Sequence, residues 1–133
     1  MNIALWVLQV LLAAAFAAHG MMFLNPPPEI AVLMNESLPR WFQLFLGVAE
    51  VAAAAGLTLP GITRILPQLV PAAAAGIVIV MISATALHIV RAEYSSAAIT
   101  AVLLAMAAFT AYARWRVVPI RPRRTGTSAV SLA

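Results

Sequence analysis

Four apolar runs, each about as long as the ~20 residues a helix needs to cross the ~30 Å hydrocarbon core of a bilayer, occupy most of this chain and leave it few ways to fold. Only short, mostly proline-bearing breaks separate them. A water-soluble surface cannot be assembled from what remains: of 133 residues, 64% are hydrophobic and 9% charged, and the mean hydropathy is +1.00. The expected fold is all-α, a four-transmembrane-helix bundle.

The breaks set the helix limits. The first run, about 3–24, ends at Pro26-Pro27-Pro28, where ring-locked residues neither donate backbone hydrogen bonds nor follow a helical residue comfortably. A loop of about fifteen residues carrying Glu29 and Glu36 follows. The second helix, about 40–59, is expected to stop at the turn signal Pro60-Gly61. The third covers about 67–90, with Pro71 in its first turn, where a missing donor costs little. The fourth, about 95–116, closes before Pro119. Residues 1–118 form the membrane domain, and 119–133 form a basic tail of disordered composition. Residues 1–24 read as a retained span, since they lack a basic n-region and their apolar stretch is longer than that of a cleaved leader.

With four spans, both termini and the connection between the second and third helices share one side. That side holds Arg64, Arg114, Arg116, Arg121, Arg123 and Arg124, against Arg40 and Arg91 on the other. The positive-inside rule puts both termini in the cytoplasm. Trp6, Tyr112 and Trp115 then fall at the cytoplasmic interface, with Trp41 and Tyr94 at the outer one. The net charge of +4 and a pI near 11.2 follow from topology and suit membrane lipids as partners; no nucleic acid is expected, because the arginines do not line one soluble face. Ala52 to Ala55 before Gly56, and Ala72 to Ala75 before Gly76, put small residues at helix-contact spacing and predict that the second and third helices pack tightly together.

Against this background the polar residues stand out. Glu50 lies about nine positions, or roughly 13 Å, below the outer end of its helix, near the bilayer midplane. A carboxylate there costs several kcal/mol unless it is paired, hydrated or protonated. Gln43, Gly47, Glu50 and Ala54 follow the i, i+4, i+7, i+11 rule and form one stripe directed to the bundle interior, with Gly47 leaving room for a neighbour or a ligand. The third helix adds Thr85 and His88, and the first adds His19 on the stripe of Leu12 and Phe16; Arg91 and Glu93 cap the outer side. Counted from the outer helix ends, Gln43 and His88 are shallow, His19 intermediate and Glu50 deepest, the order of a polar funnel.

Two function classes follow, and a third stands beside them. Glu50, His19 and His88 with Gln43, Gly47, Thr85, Arg91 and Glu93 form the binding site for the polar head of a quinone or isoprenoid type of lipophilic small molecule, or Glu50 is the general acid of an isomerase or cyclase with His19 or His88 receiving the proton. The structural alternative is that protonated Glu50 ties helices together and that the chain is a scaffold, with His88 and Arg91 merely solvated at the interface. No metal is expected: two histidines on separate helices lack local ligand spacing, although His19-Gly20-Met21-Met22 offers soft ligands. The absence of cysteine excludes thiol redox chemistry and thiolate metal sites. Ser83, Ser95 and Ser96 sit in no nucleophile motif, and no cofactor of the chain's own is expected.

The run Gly47-Val48-Ala49-Glu50-Val51-Ala52 leading to Ala55-Gly56-Leu57, then Thr85-Ala86-Leu87-His88-Ile89-Val90-Arg91-Ala92-Glu93, then Ala111-Tyr112-Ala113-Arg114-Trp115-Arg116, resembles the DoxX-like family of small bacterial four-helix membrane proteins. The resemblance covers about residues 1–118. It implies residence in a bacterial cytoplasmic membrane. Some members are the membrane subunit of a thiosulfate to quinone oxidoreductase or membrane partners of redox and stress enzymes, which implies an oxidoreductase partner here; homo-oligomers are a further expectation. The cysteine pairs of redox-active relatives are missing from this chain.

Overall fold

Each apolar run is a helix in the computed structural model, which describes residues 2–123. The order is α1 (Asn2–Leu24), α2 (Pro28–Ser37), α3 (Arg40–Thr63), α4 (Leu69–Val90) and α5 (Tyr94–Tyr112), the last extended by a π turn, Ala113–Val117. There is no strand among the described residues. Four helices, α1, α3, α4 and α5 with its π turn, are long and apolar enough to cross a membrane. Their outward side chains, among them Ile3, Val7, Leu11, Phe45, Ile79, Ile82 and Val102, remain more than half exposed, as a lipid-facing belt should be.

Two segments depart from the sequence expectation. The break after α1 is not an open loop but contains α2. Pro28 occupies its N-terminal turn, where a fixed φ favours helix and the absent N–H is no loss, and Glu29 follows in the positively polarised first turn. The helix ends at Leu38, forced into extended backbone (φ −142°, ψ 138°) by the proline after it. Part of the proline cluster therefore stops one helix and part starts the next. The second departure is that α3 runs through Pro60-Gly61 to Thr63. Pro60 removes a single donor, the one that would serve the Gly56 carbonyl, and it does so one turn from the helix end. Such gaps are tolerated in a bundle that supplies other partners. One is Gln9, whose Nε2 donates to the adjacent Leu57 carbonyl at 2.7 Å. Arg64, in the left-handed region (φ 57°), finally ends α3.

The four long helices form a ring, with α1 packed along α3 and α4 along α5, and with lighter seams between α3 and α4 and between α1 and α5. Leu12, Phe16, Ala54, Leu57, Ile77 and Met81 fill the centre. The small-residue runs of α3 and α4 meet, but not along their whole length. Gly56 lies against Ala73, so that an added Cβ would come 2.9 Å from the Ala73 Cβ, whereas a Cβ on Gly76 would meet nothing within 4 Å. With side chains this short on both walls, the seam opens into a groove instead of closing.

Of the tail expected to be disordered, 119–133, residues 124–133 lie outside the described residues. Before them the chain turns back across the end of the bundle. A Cβ on Gly61 would meet Trp6 Cη2 at 2.7 Å and Ile120 Cδ1 at 3.1 Å, and the Arg123 amide donates to the Arg64 carbonyl at 3.1 Å.

Two helix backbones come close at the α1–α3 crossing. A Cβ on Gly20 would stand 2.9 Å from the Gly47 carbonyl oxygen, and one on Gly47 would stand 2.9 Å from the Gly20 carbonyl oxygen and 2.8 Å from Leu24 Cγ. Gly47→Ala is therefore expected to lose about 1–3 kcal/mol through overpacking. Gly76→Ala, which gains helix propensity without a clash, should be neutral or stabilising by up to about 1 kcal/mol. Thermal unfolding of both variants in lipid discs checks this; equal effects would refute the assignment of the crossing.

Candidate functional site

The α1–α3 crossing puts His19 and Glu50 side by side. Gly20, next to His19, would bring a Cβ to 3.1 Å from the Glu50 Cβ, so the two helix backbones are close enough for the side chains to meet directly. His19 Nδ1 lies 2.7 Å from Glu50 Oε2. The two partners differ sharply in exposure: the Glu50 side chain is 4% exposed and that of His19 is 48% exposed. With Glu50 ionised, the Nδ1–H of the ring donates to the carboxylate; with Glu50 protonated, the carboxyl O–H donates to Nδ1. The ring is held edge-on against Phe23, 4.9 Å between centroids.

Glu50 also borders the α3/α4 groove. This cavity has a volume of about 510 Å³, and Phe16, Ala53, Gly56, Ala73, Gly76 and Ile77 contribute its apolar walls. Glu50 is the one ionisable residue in that lining. Its Oε1 has no hydrogen-bond partner among the described residues, so the carboxyl keeps an oxygen for something else. Small-molecule sites commonly take this form, an apolar cleft of about 300–1,000 Å³ with a few polar groups.

The stripe of Gln43, Gly47, Glu50 and Ala54 is buried throughout. Its members nonetheless do different things. Gln43 is held at the end of the bundle that bears α2, where Nε2 donates to Leu38 O at 2.8 Å and Asn35 Oδ1 at 3.1 Å while Oε1 accepts from Arg40 Nη1 at 3.2 Å; these bonds tie α2 to α3. Gly47 is filled by the Gly20 backbone and Leu24. The remaining candidates belong to the α4–α5 hairpin. Thr85 donates to Thr100 Oγ1 at 2.9 Å. Ala92 takes a positive φ of 59°, and the resulting turn brings Glu93 back so that its Oε2 lies 2.5 Å from His88 Nδ1. Arg91 is exposed at the same turn. Counted along the helices from this same end of the bundle, His88 is within one turn of the end of α4 and Glu50 nearly three turns into α3, a separation in depth of roughly 10 Å. The two histidines thus serve two separate carboxylates. Among the described residues no three His, Asp or Glu side chains are grouped to hold a metal ion.

Three polar residues have larger roles than their types suggested. Arg40 stitches α3 to the end of α1, with Nη1 donating to Phe23 O and Nη2 to Leu24 O, both at 2.9 Å, and so satisfies carbonyls that a helix end leaves free. Its position directly after Pro39 at a helix start was the available signal. Gln9 and Arg114, at the opposite end, form a buried bond between Gln9 Oε1 and Arg114 Nε across 105 positions of sequence. Periodicity carries no trace of a pairing that distant.

No curated protein and no solved structure gives a match. A family model, described as the DoxX-like family, matches residues 7–110, from the first turns of α1 nearly to the end of α5. The chain is a membrane protein of the DoxX-like family.

Proposed function

We propose that this protein binds a lipophilic molecule of the quinone or isoprenoid type, with the molecule's apolar body along the α3/α4 groove and its polar head at the Glu50–His19 pair. The observation that carries this reading is the meeting of a buried carboxyl, oriented by a histidine, with an apolar groove of about 510 Å³. An apolar tail gains little over lipid in such a groove beyond contact; the head group gains a hydrogen-bonding partner that the hydrocarbon core does not offer. Glu50 stands about ten residues into α3, roughly 15 Å along its axis, near the depth of the bilayer midplane. A ligand must therefore reach it from within the membrane, by the lipid-facing opening of the groove.

On this reading the chain is an auxiliary membrane subunit. It contains no cysteine, so electrons delivered to or taken from a bound quinone would pass through a partner oxidoreductase. Both termini and the α3–α4 connection lie on the cytoplasmic side, in accord with the arginines gathered at that end. A second reading, a membrane-embedded isomerase or cyclase with Glu50 as general acid, is favoured by one specific contact: the 2.7 Å approach of His19 Nδ1 provides a route for returning the proton.

Mass spectrometry of the lipids that co-purify in discs separates these readings. Wild type and Glu50→Gln are expected to retain the same intact molecule. Glu50→Leu and Gly76→Leu should lose it, the first by removing the hydrogen bond and the second by filling the groove. Accumulation of an unreacted substrate on Glu50→Gln, with a rearranged product on wild type, would establish the enzyme. Identical lipid profiles in all four proteins would leave only a scaffold.

The orientation is tested separately in a chain with no native cysteine. A membrane-impermeant maleimide applied to intact cells should label Ser37→Cys and reach Ile65→Cys only after lysis. The reverse pattern would invert the topology.

A further inference from the structure

The Arg-rich end of the bundle contains a second, distinct cavity. Arg114, at the π turn, is 3% exposed. Its Nε donates to Gln9 Oε1, and its Nη1 to Asn2 Oδ1 at 2.8 Å and Val118 O at 3.3 Å. The face of Trp6 lies 5.3 Å from its central carbon. Every one of these partners is neutral. The Nη2 group is buried and has no acceptor at all among the described residues. No carboxylate side chain is positioned to serve it: the four acids of the chain are Glu29, Glu36, Glu50 and Glu93, and none lies at this end. A buried guanidinium without a counter-charge is an arrangement that proteins ordinarily avoid.

Arg114 borders a cavity of about 240 Å³ together with Trp6, Gly61, Arg64, Ile120 and Arg121. That volume equals roughly eight water molecules at about 30 Å³ each. Arg64 and Arg121 are exposed and stand at its rim. Three guanidinium groups around one cavity offer more donors than a halide or a single carboxylate can accept from, whereas a phosphate group presents several oxygens in different directions. The segment after the π turn folds back so that the Arg123 amide reaches the Arg64 carbonyl, and its Val118, Pro119 and Ile120 join the cavity lining.

We infer that the cavity between Arg114, Arg64 and Arg121 is a phosphate-binding site, at which the Arg114 Nη2 donors and the two rim arginines receive the oxygens of either an anionic phospholipid headgroup or a free phosphate. The bound anion supplies the counter-charge that no side chain among the described residues gives Arg114. It is independent of the Glu50 groove, which lies in the middle of the bundle and is lined by different residues.

Native mass spectrometry of the full chain, released from detergent in the presence of equimolar phosphatidylglycerol and phosphatidylcholine, tests the lipid source. Thermal unfolding in phosphatidylcholine discs titrated with inorganic phosphate tests the free anion. The expected result is selective retention of one phosphatidylglycerol, or a saturable rise in Tm with phosphate. Either should fall on the order of tenfold or more in Arg64→Gln/Arg121→Gln, whose positions are exposed and outside the helix packing. Arg116→Gln, a charge loss at the same end outside the cavity, should leave binding unchanged. Arg114→Met should abolish it, and the rim variant keeps the test decisive if that protein does not fold. Absence of both lipid selectivity and a phosphate effect in wild type would overturn the inference. So would an equal loss in Arg116→Gln, because that would mark nonspecific attraction to the basic end.

Discussion

The approach of two glycine backbones at the α1–α3 crossing governs the rest of the site. Gly20 and Gly47 bring carbonyl groups of the two helices to distances that any side chain would prevent. In a bilayer, where lipid is as apolar as leucine, such close packing is itself the source of helix association. It also decides which polar groups meet. The side chain of His19, one residue before Gly20, reaches the carboxyl of Glu50, one turn beyond Gly47, only because nothing bulky separates the helices. Drawing α1 and α3 together on one side of the ring, and α4 and α5 on the other, leaves lighter seams between the two pairs, and the alanine-walled one between α3 and α4 opens into the groove.

The two ends of the bundle solve the problem of polar groups in different ways. At the end bearing α2, Arg40 and Gln43 are used as connectors that satisfy the carbonyls of α1 and of the α2–α3 link, and His88 finds Glu93 within its own hairpin. Charges there are solvated or neutralised locally. At the other end, Arg114 is drawn into the protein by Gln9 and Asn2 and keeps its charge without an acidic partner. Polar residues thus serve as struts at one end, as a candidate ligand contact in the middle, and as an excess of positive charge at the other end.

Much of the fold is legible in the sequence because bilayer thickness allows only a narrow range of span lengths, and the four runs meet it. Proline is not a simple stop signal at either site where the structure departs from expectation. Pro28 begins a helix as readily as Pro26 ends one, and Pro60 costs α3 one donor in a place where Gln9 supports the neighbouring carbonyl. The depth of Glu50 follows from its place in the apolar run, and the burial of its stripe follows from the helical period. Its partner does not. His19 and His88 are equivalent as residue types, and only the crossing geometry assigns His19 to Glu50 and His88 to Glu93. The alanine runs show the same limit from the other direction: small residues permit close approach without requiring it, and whether they make a contact or a groove depends on where the other seams of the ring close.

The central claim is that the α3/α4 groove receives an apolar molecule whose head lies at Glu50. Photoaffinity mapping with a diazirine-bearing quinone analogue in lipid discs tests it most directly. The account predicts saturable labelling confined to groove residues of α3 and α4, around Ala53, Ala73 and Gly76, and competed by unlabelled quinone. Labelling spread over the lipid-facing belt of all four helices, with no competition, would contradict it.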